Sequence, residues 1–179
     1  SLKATHKDYY LASVMNYRLG GGGFASQLTQ ELREAKGYTY GIRSRFSGSE
    51  YIGEFAISSG IRTNVTYEAS SLIKQILEDY GKNYSEDDLE VTKGFTIKST
   101  ARAFETLSAK LNMLSNISNY GYTDDYAKQQ EDLVKSLTVE DIKALVERYI
   151  KPNQMIYLIV GDAETQLDKL EALGFGKPV

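Results

Sequence analysis

The sequence predicts a single α+β domain in which a small, mostly antiparallel sheet packs against several helices. Most apolar residues recur at the three- and four-residue spacing of helices. Two short segments alternate as strands around a serine–glycine turn, and one unbroken apolar run fits a buried strand. At 179 residues the chain is long enough to bury a core, and it has no internal repeat or interdomain linker.

Two helices are predicted before the sheet. The first is expected over residues 7–19 and is ended by the four glycines at 20–23. Its apolar stripe consists of Tyr10, Leu11, Val14 and Met15. The second is expected over residues 24–36, where Phe24, Leu28 and Leu32 share one face, and Gly37 closes it.

A hairpin and a third helix follow. Strands are expected over residues 38–46 and 52–59, around the turn Ser47-Gly48-Ser49. Asn64 or Thr66 can cap a helix that reaches Tyr80. The buried face of this helix is expected to contain Leu72, Ile73, Ile76 and Leu77.

A long helical segment is predicted over residues 85–120. Ser85 followed by Asp88 resembles a capping box, and Gly121 ends the segment. Because an interior glycine weakens a helix, we expect Gly94 to introduce a bend or a division into two helices. The second part is expected to bury Phe104, Leu107, Leu111 and Leu114.

The C-terminal third is predicted to hold three helices and a strand. Thr123 caps a helix to residue 136, and Thr138 with Asp141 caps another to residue 150, which Pro152 stops. The apolar run at 155–160 is expected to be the central strand of the sheet. The last helix starts at a capping Asp162, continues through three leucines and ends at Gly174; the leucines are Leu167, Leu170 and Leu173.

Composition excludes several classes of protein. The net charge of −3, without a basic stripe, argues against a nucleic-acid-binding role driven by phosphate neutralisation. The absence of cysteine removes disulfides and thiolate metal ligands. No apolar run approaches the roughly 20 residues that span a bilayer, so no membrane span is expected.

No metal site is expected within this chain. Its single histidine, His6, has neither a second imidazole nor a cysteine to complete a zinc site, and we interpret it as a surface residue. The acidic clusters at 86–88 and 124–125 lack the spacing of a calcium loop. Both precede predicted helices, where negative charge interacts favourably with the helix dipole.

The glycine run at 20–23 does not fit a nucleotide-binding loop. A P-loop needs Gly-Lys-Ser/Thr, and a dinucleotide fingerprint needs a strand before the glycines, whereas a helix precedes them here.

The block 19–41 nevertheless carries a specific pattern, LGGG-x-x-S-x-L-x-x-x-LRE-x-x-G-x-x-Y. The positions that match it in register are Leu19, Gly20, Gly21, Gly22, Ser26, Leu28, Leu32, Arg33, Glu34, Gly37 and Tyr40. This block resembles the C-terminal, non-zinc half-domain of the pitrilysin and insulinase family of zinc metallopeptidases, which includes the mitochondrial processing peptidase. Weaker similarity occurs at 61–63, 104–106 and 160–162. In that family the half-domain opens with a strand, so we expect that residues 1–179 form one domain excised from a longer chain and lacking its first strand.

The resemblance implies a role for Arg33 and Tyr40. In the family, residues at these positions reach toward a zinc site carried by the other half, hold the substrate backbone and help to stabilise the oxyanion of peptide hydrolysis. The implied partner is a zinc-bearing H-x-x-E-H half-domain, in the same polypeptide or in another subunit. Alone, this chain is expected to be inactive. A bacterial periplasmic or cytoplasmic setting is expected from the habit of the family.

The resemblance also bears on the glycines, which either form a tight connection between helices or, together with Phe24, a mobile loop lining a substrate chamber.

The residue pattern alone gives another interpretation of Arg33 and Tyr40. In a regular strand Tyr40 shares an apolar face with Tyr38, Ile42 and Phe46, which predicts a core tyrosine, and Arg33 would be a solvated helix residue. The alternatives to a peptidase half are a non-catalytic scaffold relative and a stand-alone module that captures extended peptides at a sheet edge.

Overall fold

The computed structural model describes residues 2–102 and 105–177 of the chain. Helix α1 (Tyr9–Asn16) continues into a π-helical turn over Tyr17–Gly21. After a 3₁₀ turn (Gly23–Ala25), helix α2 (Gln27–Thr29) continues with π-helical hydrogen bonding over Gln30–Ala35. Helix α1 therefore extends into the glycines, and the prediction that they end it at Leu19 is wrong by two residues.

Strands β1 (Thr39–Gly48) and β2 (Gly53–Ile61) form a two-stranded antiparallel sheet, which confirms the predicted hairpin. Phe46 lies opposite Phe55, and Gly48 lies opposite Gly53. Strand β1 ends two residues later than predicted, at Gly48, and the turn lies at residues 49–52, where the amide of Ser49 donates to the carbonyl of Ile52 at 2.7 Å.

Six further helices complete the described chain. They are α3 (Thr66–Asn83), α4 (Glu86–Arg102), α5 (Leu107–Tyr120), α6 (Tyr126–Ser136), α7 (Val139–Tyr149) and α8 (Ala163–Leu170). Short 3₁₀ turns precede α3, follow α7 at Pro152–Gln154 and follow α8 at Glu171–Leu173. The α+β class predicted from the sequence is confirmed. In the described part of the chain, no helix is long and apolar enough to cross a membrane.

The core lies between one face of the hairpin and helices α1, α2, α3 and α7. Its most deeply buried large side chains are Met15, Leu19, Leu28, Leu32, Ile42 and Ile142. The predicted stripe of α1 and the predicted face of α3 both contribute, although Tyr10, Leu11, Leu72 and Ile73 are only partly buried.

Most predicted helix ends are confirmed. Ser85 and Asp88 exchange amide-to-side-chain hydrogen bonds of 3.1 and 3.2 Å, and Thr138 with Asp141 forms the same capping box. Gly37 and Gly121 adopt the left-handed conformation that terminates a helix, with φ of 61° and 68°. The Asp162 carboxylate accepts the Glu164 amide at 3.1 Å.

Two predicted caps are wrong. Helix α3 begins at Thr66 without a side-chain cap, because the preceding 3₁₀ turn over Thr63–Val65 leads directly into it. Helix α6 begins at Tyr126 behind Asp125, while the carbonyl of Thr123 accepts the Tyr126 amide. In both cases a backbone turn takes the hydrogen bond that the sequence pattern assigned to a side chain.

Gly94 does not end α4, which runs uninterrupted through it from Glu86 to Arg102. The division into two helices falls later, between Arg102 and Leu107. Leu107, Leu111 and Leu114 of α5 are exposed, so the face predicted to be buried is not covered by the described residues. Phe104, the fourth member of that predicted face, and the 104 position of the weaker motif lie outside the described residues.

Replacing Gly94 by alanine is expected to raise the free energy of unfolding by about 0.5–1 kcal/mol, because glycine loses more backbone entropy in a helix than alanine does. No atom outside its own turn lies within 4 Å of the added methyl group. Urea unfolding monitored by circular dichroism measures the change. Gly121→Ala is the matched control, since that site is equally open but has a φ of 68° and should lose stability. A loss of stability in Gly94→Ala would contradict the prediction.

The apolar run at 155–160 is not a strand, which corrects the prediction of a central strand. It pairs with no strand among the described residues, and Ile156 and Val160 are 97% and 91% exposed. A groove of about 670 Å³ separates this segment from β2. An apolar run indicates a tendency to be buried, but a strand also needs a neighbouring edge within hydrogen-bonding distance.

Candidate functional site

Gly20, in the π-helical turn that continues α1, packs tightly against the sheet. A Cβ atom on Gly20 would lie 2.3 Å from Ser44 Oγ and 2.8 Å from the backbone nitrogen of Ser44. On Gly22 it would lie 2.7 Å from the carbonyl oxygen of Tyr17. Gly23 alone in this run has a positive φ, of 57°. Gly20 and Gly22 therefore allow a close approach of the backbone where the two helices are connected.

Polar contacts on both sides hold this connection. The buried amide of Asn16 donates to the Ser44 carbonyl at 2.8 Å, and the Ser44 hydroxyl donates back to the Asn16 side-chain oxygen. The Arg18 guanidinium donates to the carbonyl of Ala25 and to Asp88 of α4, at 2.8 Å in the second case. Partial burial opposes ionisation of Asp88, but Arg18 and Ser85 outweigh it, and the net pKa lies below the usual range. The helical pattern did not identify Arg18 as an anchor.

Arg33 lies on the π-helical part of α2, against two aromatic rings. Its guanidinium carbon is 4.6 Å from the centre of the Phe24 ring and 5.1 Å from the centre of the Tyr40 ring. Its Nε atom is 3.3 Å from a carboxylate oxygen of Glu34. Cation–π contacts at such exposed sites contribute about 0.5–1 kcal/mol each. The structure thus brings together three of the residues singled out in the sequence, Arg33, Tyr40 and Phe24.

Tyr40 points away from the core, so the interpretation of a core tyrosine is wrong. Its side chain is 89% exposed, although Ile42 and Phe46 on the same alternation are buried. The reason is a β-bulge at the start of β1. Thr39 lies opposite Ile61 and Ile42 opposite Ser59, so three steps along β1 match two along β2. The extra residue reverses the alternation and places Thr39, instead of Tyr40, on the core side.

Arg33 and Tyr40 do not line either of two cavities found among the described residues. The groove of about 670 Å³ is lined by β2, α3 and the segment that follows α7. A second cavity of about 220 Å³ lies around Arg18, Asp88, Tyr80 and Tyr84. Neither is lined by Arg33 or Tyr40. These two side chains therefore present their polar groups on an open surface, where a second protein surface or a peptide can reach them.

The described residues do not fit a zinc site. Across residues 2–102 and 105–177, no three histidine, cysteine, aspartate or glutamate side chains cluster closely enough to hold a metal ion. His6 accepts the Asp8 amide through Nδ1 at 3.1 Å and packs edge-on against Tyr149. Of the acidic clusters, Asp88 caps α4 and pairs with Arg18, and Asp125 precedes α6.

Comparisons with known proteins agree with this fold. The family model for the peptidase M16 inactive domain matches residues 2–94. The non-peptidase homolog YmxG of Helicobacter pylori is 26% identical over 166 residues, which are 90% of this chain and 37% of that protein. The uncharacterized zinc protease SCO5738 of Streptomyces coelicolor is 24% identical over 145 residues, 80% of this chain and 31% of that protein.

Solved structures give the same picture. The peptidase M16 inactive domain from Pseudomonas fluorescens aligns with a TM-score of 0.75 and 27% identity, over 84% of this chain and 36% of that one. A protease from Helicobacter pylori aligns with a TM-score of 0.75 at 20% identity, over the same shares, and supports the fold alone. The chain spans about a third of the length of these relatives. With more than half of its residues matched by the family model, the chain belongs to the family of peptidase M16 inactive domains.

Proposed function

We propose that this chain is the substrate-binding, transition-state-assisting half of a zinc-dependent metalloendopeptidase. A zinc-bearing H-x-x-E-H half-domain, in the same polypeptide or in a partner subunit, would complete the active site. The observation that carries the proposal is the bulge that turns Tyr40 out of the core and toward Arg33. A regular strand would have buried this tyrosine at less cost, and bulges are over-represented beside active sites, where they redirect side chains.

The chemistry of the pair suits a peptide carbonyl. A phenol and a guanidinium both donate hydrogen bonds, and neither needs to lose a proton to do so. Glu34 contacts Nε of Arg33, and the planar guanidinium has two terminal nitrogens besides, which suit a substrate oxygen. In a chamber from which water is excluded, one donor aimed at the developing negative charge contributes about 3–4 kcal/mol to the transition state.

The connection at 20–24 would form part of the chamber wall in this proposal. Phe24 is exposed, and its ring lies 4.6 Å from the Arg33 guanidinium. Gly23 has open space around the position of its missing side chain. A peptide backbone can approach such a surface closely, because no side chain intervenes. The peptide would then lie across Phe24 toward the polar ends of Arg33 and Tyr40.

A reconstitution experiment tests the proposal. The chain is assayed alone, with its zinc-bearing half-domain, and as the joined polypeptide, using an unfolded peptide with a quenched fluorophore. We expect no hydrolysis from the chain alone and a large gain in kcat/KM when the zinc-bearing half is present. Stoichiometric zinc binding and cleavage by the isolated chain would contradict the proposal. So would a stable complex, seen by gel filtration, that hydrolyses the peptide no faster than the zinc-bearing half alone.

A non-catalytic scaffold relative is the second candidate. The relative from Helicobacter pylori is named a non-peptidase homolog, and it matches 90% of this chain. A stable complex without any gain in hydrolysis would favour this candidate.

A stand-alone peptide-binding module is a third candidate, which rests on the groove beside the edge of β2. For all three we propose a bacterial periplasmic or cytoplasmic setting, which the bacterial sources of the relatives support.

A further inference from the structure

The hydroxyl of Thr39 lies at the centre of the hydrogen bonds that form the bulge of β1. Thr39 is 7% exposed, whereas Tyr40 and Gly41, which follow it in the bulge, are exposed. Its Oγ1 atom lies 2.6 Å from the carbonyl oxygen of Gly60 in β2 and 2.9 Å from the carbonyl oxygen of Gly41, and it donates its one proton to one of the two. It accepts the backbone amide of Gly41 at 3.0 Å and the hydroxyl of Ser59 at 2.8 Å. The Thr39 side chain therefore bonds to β1 just after Tyr40, at Gly41, and to the neighbouring strand β2, at Ser59 and Gly60.

We propose that Thr39 is a positioning residue, whose hydroxyl holds the bulge that directs Tyr40 toward Arg33. Its effect on catalysis rests on the proposed function, but its effect on the orientation of Tyr40 does not. Thr39 is not part of the family pattern, which accepts any residue at the position before Tyr40.

The physical reason is that a bulge leaves backbone groups without ladder partners. The extra residue of β1 takes the Gly41 amide out of register with β2. Gly41 is exposed and its bond to Thr39 is only part-buried, so the hydroxyl contributes about 0.5–1.5 kcal/mol here, the net value of an ordinary hydrogen bond. Thr39 supplies the missing acceptor for that amide and ties the bulged strand to Gly60. Without the hydroxyl, the bulge loses this advantage over a regular ladder, in which Tyr40 would face the core beside Ile42.

Threonine also suits the position by shape. Thr39 is buried, and its branched side chain has few rotamers. Valine has nearly the same shape without the hydroxyl, and serine keeps the hydroxyl without the methyl group. These two variants therefore separate hydrogen bonding from packing at Thr39. Thr92→Val is the matched control, because Thr92 is also buried and its hydroxyl donates to the Asp88 carbonyl at 2.8 Å, in α4.

The orientation of Tyr40 can be read in the 179-residue chain by NMR, from the ring-current shift of the Arg33 Nε–H resonance. Tyr40→Ala defines the value without the tyrosine ring. We expect Thr39→Val to move the resonance most of the way to that value, whereas Thr39→Ser and Thr92→Val keep the wild-type value. If Thr39→Val does not fold, Ser59→Ala, which removes one of the bonds to Thr39, should move the resonance in the same direction. An unchanged resonance in the folded variant would overturn the proposal.

Kinetics of the reconstituted peptidase test the same assignment. A misplaced catalytic donor can cost up to about a hundredfold in rate, so Thr39→Val should lower kcat/KM by about ten- to a hundredfold and Thr39→Ser should rescue it. If Thr39 acts through Tyr40, adding Thr39→Val to Tyr40→Ala causes no further decrease in kcat/KM. If the double variant instead loses kcat/KM by the product of the two single effects, Thr39 does not act through Tyr40. If Tyr40→Ala itself leaves kcat/KM unchanged, the proposed function fails, and the resonance still decides the orientation.

Discussion

Arg33→Ala is expected to lower kcat/KM of the reconstituted peptidase by about 10²–10³-fold, the loss typical when one oxyanion donor is removed. The guanidinium is partly exposed and lies outside the buried core, so the free energy of unfolding should change little. Arg33→Lys should recover only part of the activity, because lysine presents a point charge instead of a planar fork. Initial rates with a fluorogenic peptide, together with urea unfolding, separate activity from stability.

The controls for this expectation come from the same region of the chain. Arg43→Ala removes an exposed arginine from β1 and should leave kcat/KM unchanged. Tyr40→Phe keeps the ring that contacts Arg33 but loses the phenol, so it should lower kcat and keep the Arg33 Nε–H resonance near its wild-type value. Unchanged kinetics in both Arg33→Ala and Tyr40→Phe would rule out the roles assigned to the pair.

Gly20→Ala is expected to reduce the free energy of unfolding by about 3 kcal/mol, at the upper end of overpacking effects. The new methyl group would lie 2.8 Å from a backbone nitrogen of β1 and 2.9 Å from the side chain of Leu28. The Ser44 hydroxyl can rotate away, but the backbone of β1 can move only by disturbing the core around Ile42. The alanine preference of helices, about 1 kcal/mol, is too small to compensate.

Urea unfolding of the 179-residue chain measures this loss. Gly60→Ala is the matched control, because nothing lies within 4 Å of its added methyl group and its φ is not positive. The free energy of unfolding of Gly60→Ala should remain within about 0.5 kcal/mol of the wild-type value. If Gly20→Ala proves as stable as Gly60→Ala, the helix does not pack against β1 as closely as described, and the glycine run is a loose loop.

Local sequence patterns accounted for most helix ends and for the hairpin. Ser85 with Asp88, and Thr138 with Asp141, form capping boxes because both partners lie within four residues of each other. The helix ends at Gly37 because a φ of 61° cannot continue a right-handed helix, and glycine adopts this conformation without steric cost. Such features need no distant part of the chain, so a single sequence is enough to predict them.

The errors have a common cause in contacts between distant segments. The apolar run at 155–160 is unpaired because a groove, not a strand edge, lies between it and β2. The leucines of α5 have helical spacing, but the described residues offer no surface that covers them. The division expected at Gly94 is a separate case: α4 continues through it, because a cost of about 1 kcal/mol at one position is too small to end a helix of 17 residues.

For the candidate site, too, the sequence predicted one part correctly and another part wrongly. Its residues were recognised from one block of the sequence, in which Arg33 and Tyr40 are seven positions apart. Alternation nevertheless predicted a buried Tyr40, because the period of a strand is two only while the ladder is regular.

By itself, the sequence determined the family, the α+β class, most helix ends and the block that contains Arg33 and Tyr40. The tertiary structure alone decided that Gly20 lies against Ser44 and that Tyr40 faces outward, 5.1 Å from the Arg33 guanidinium carbon. Both depend on where β1 lies relative to α1, α2 and β2, and the second also on the bulge at the start of β1. Asn16 and Ser44 are 28 positions apart, and Thr39 and Gly60 are 21 positions apart, so spacing along the chain does not encode the packing of β1.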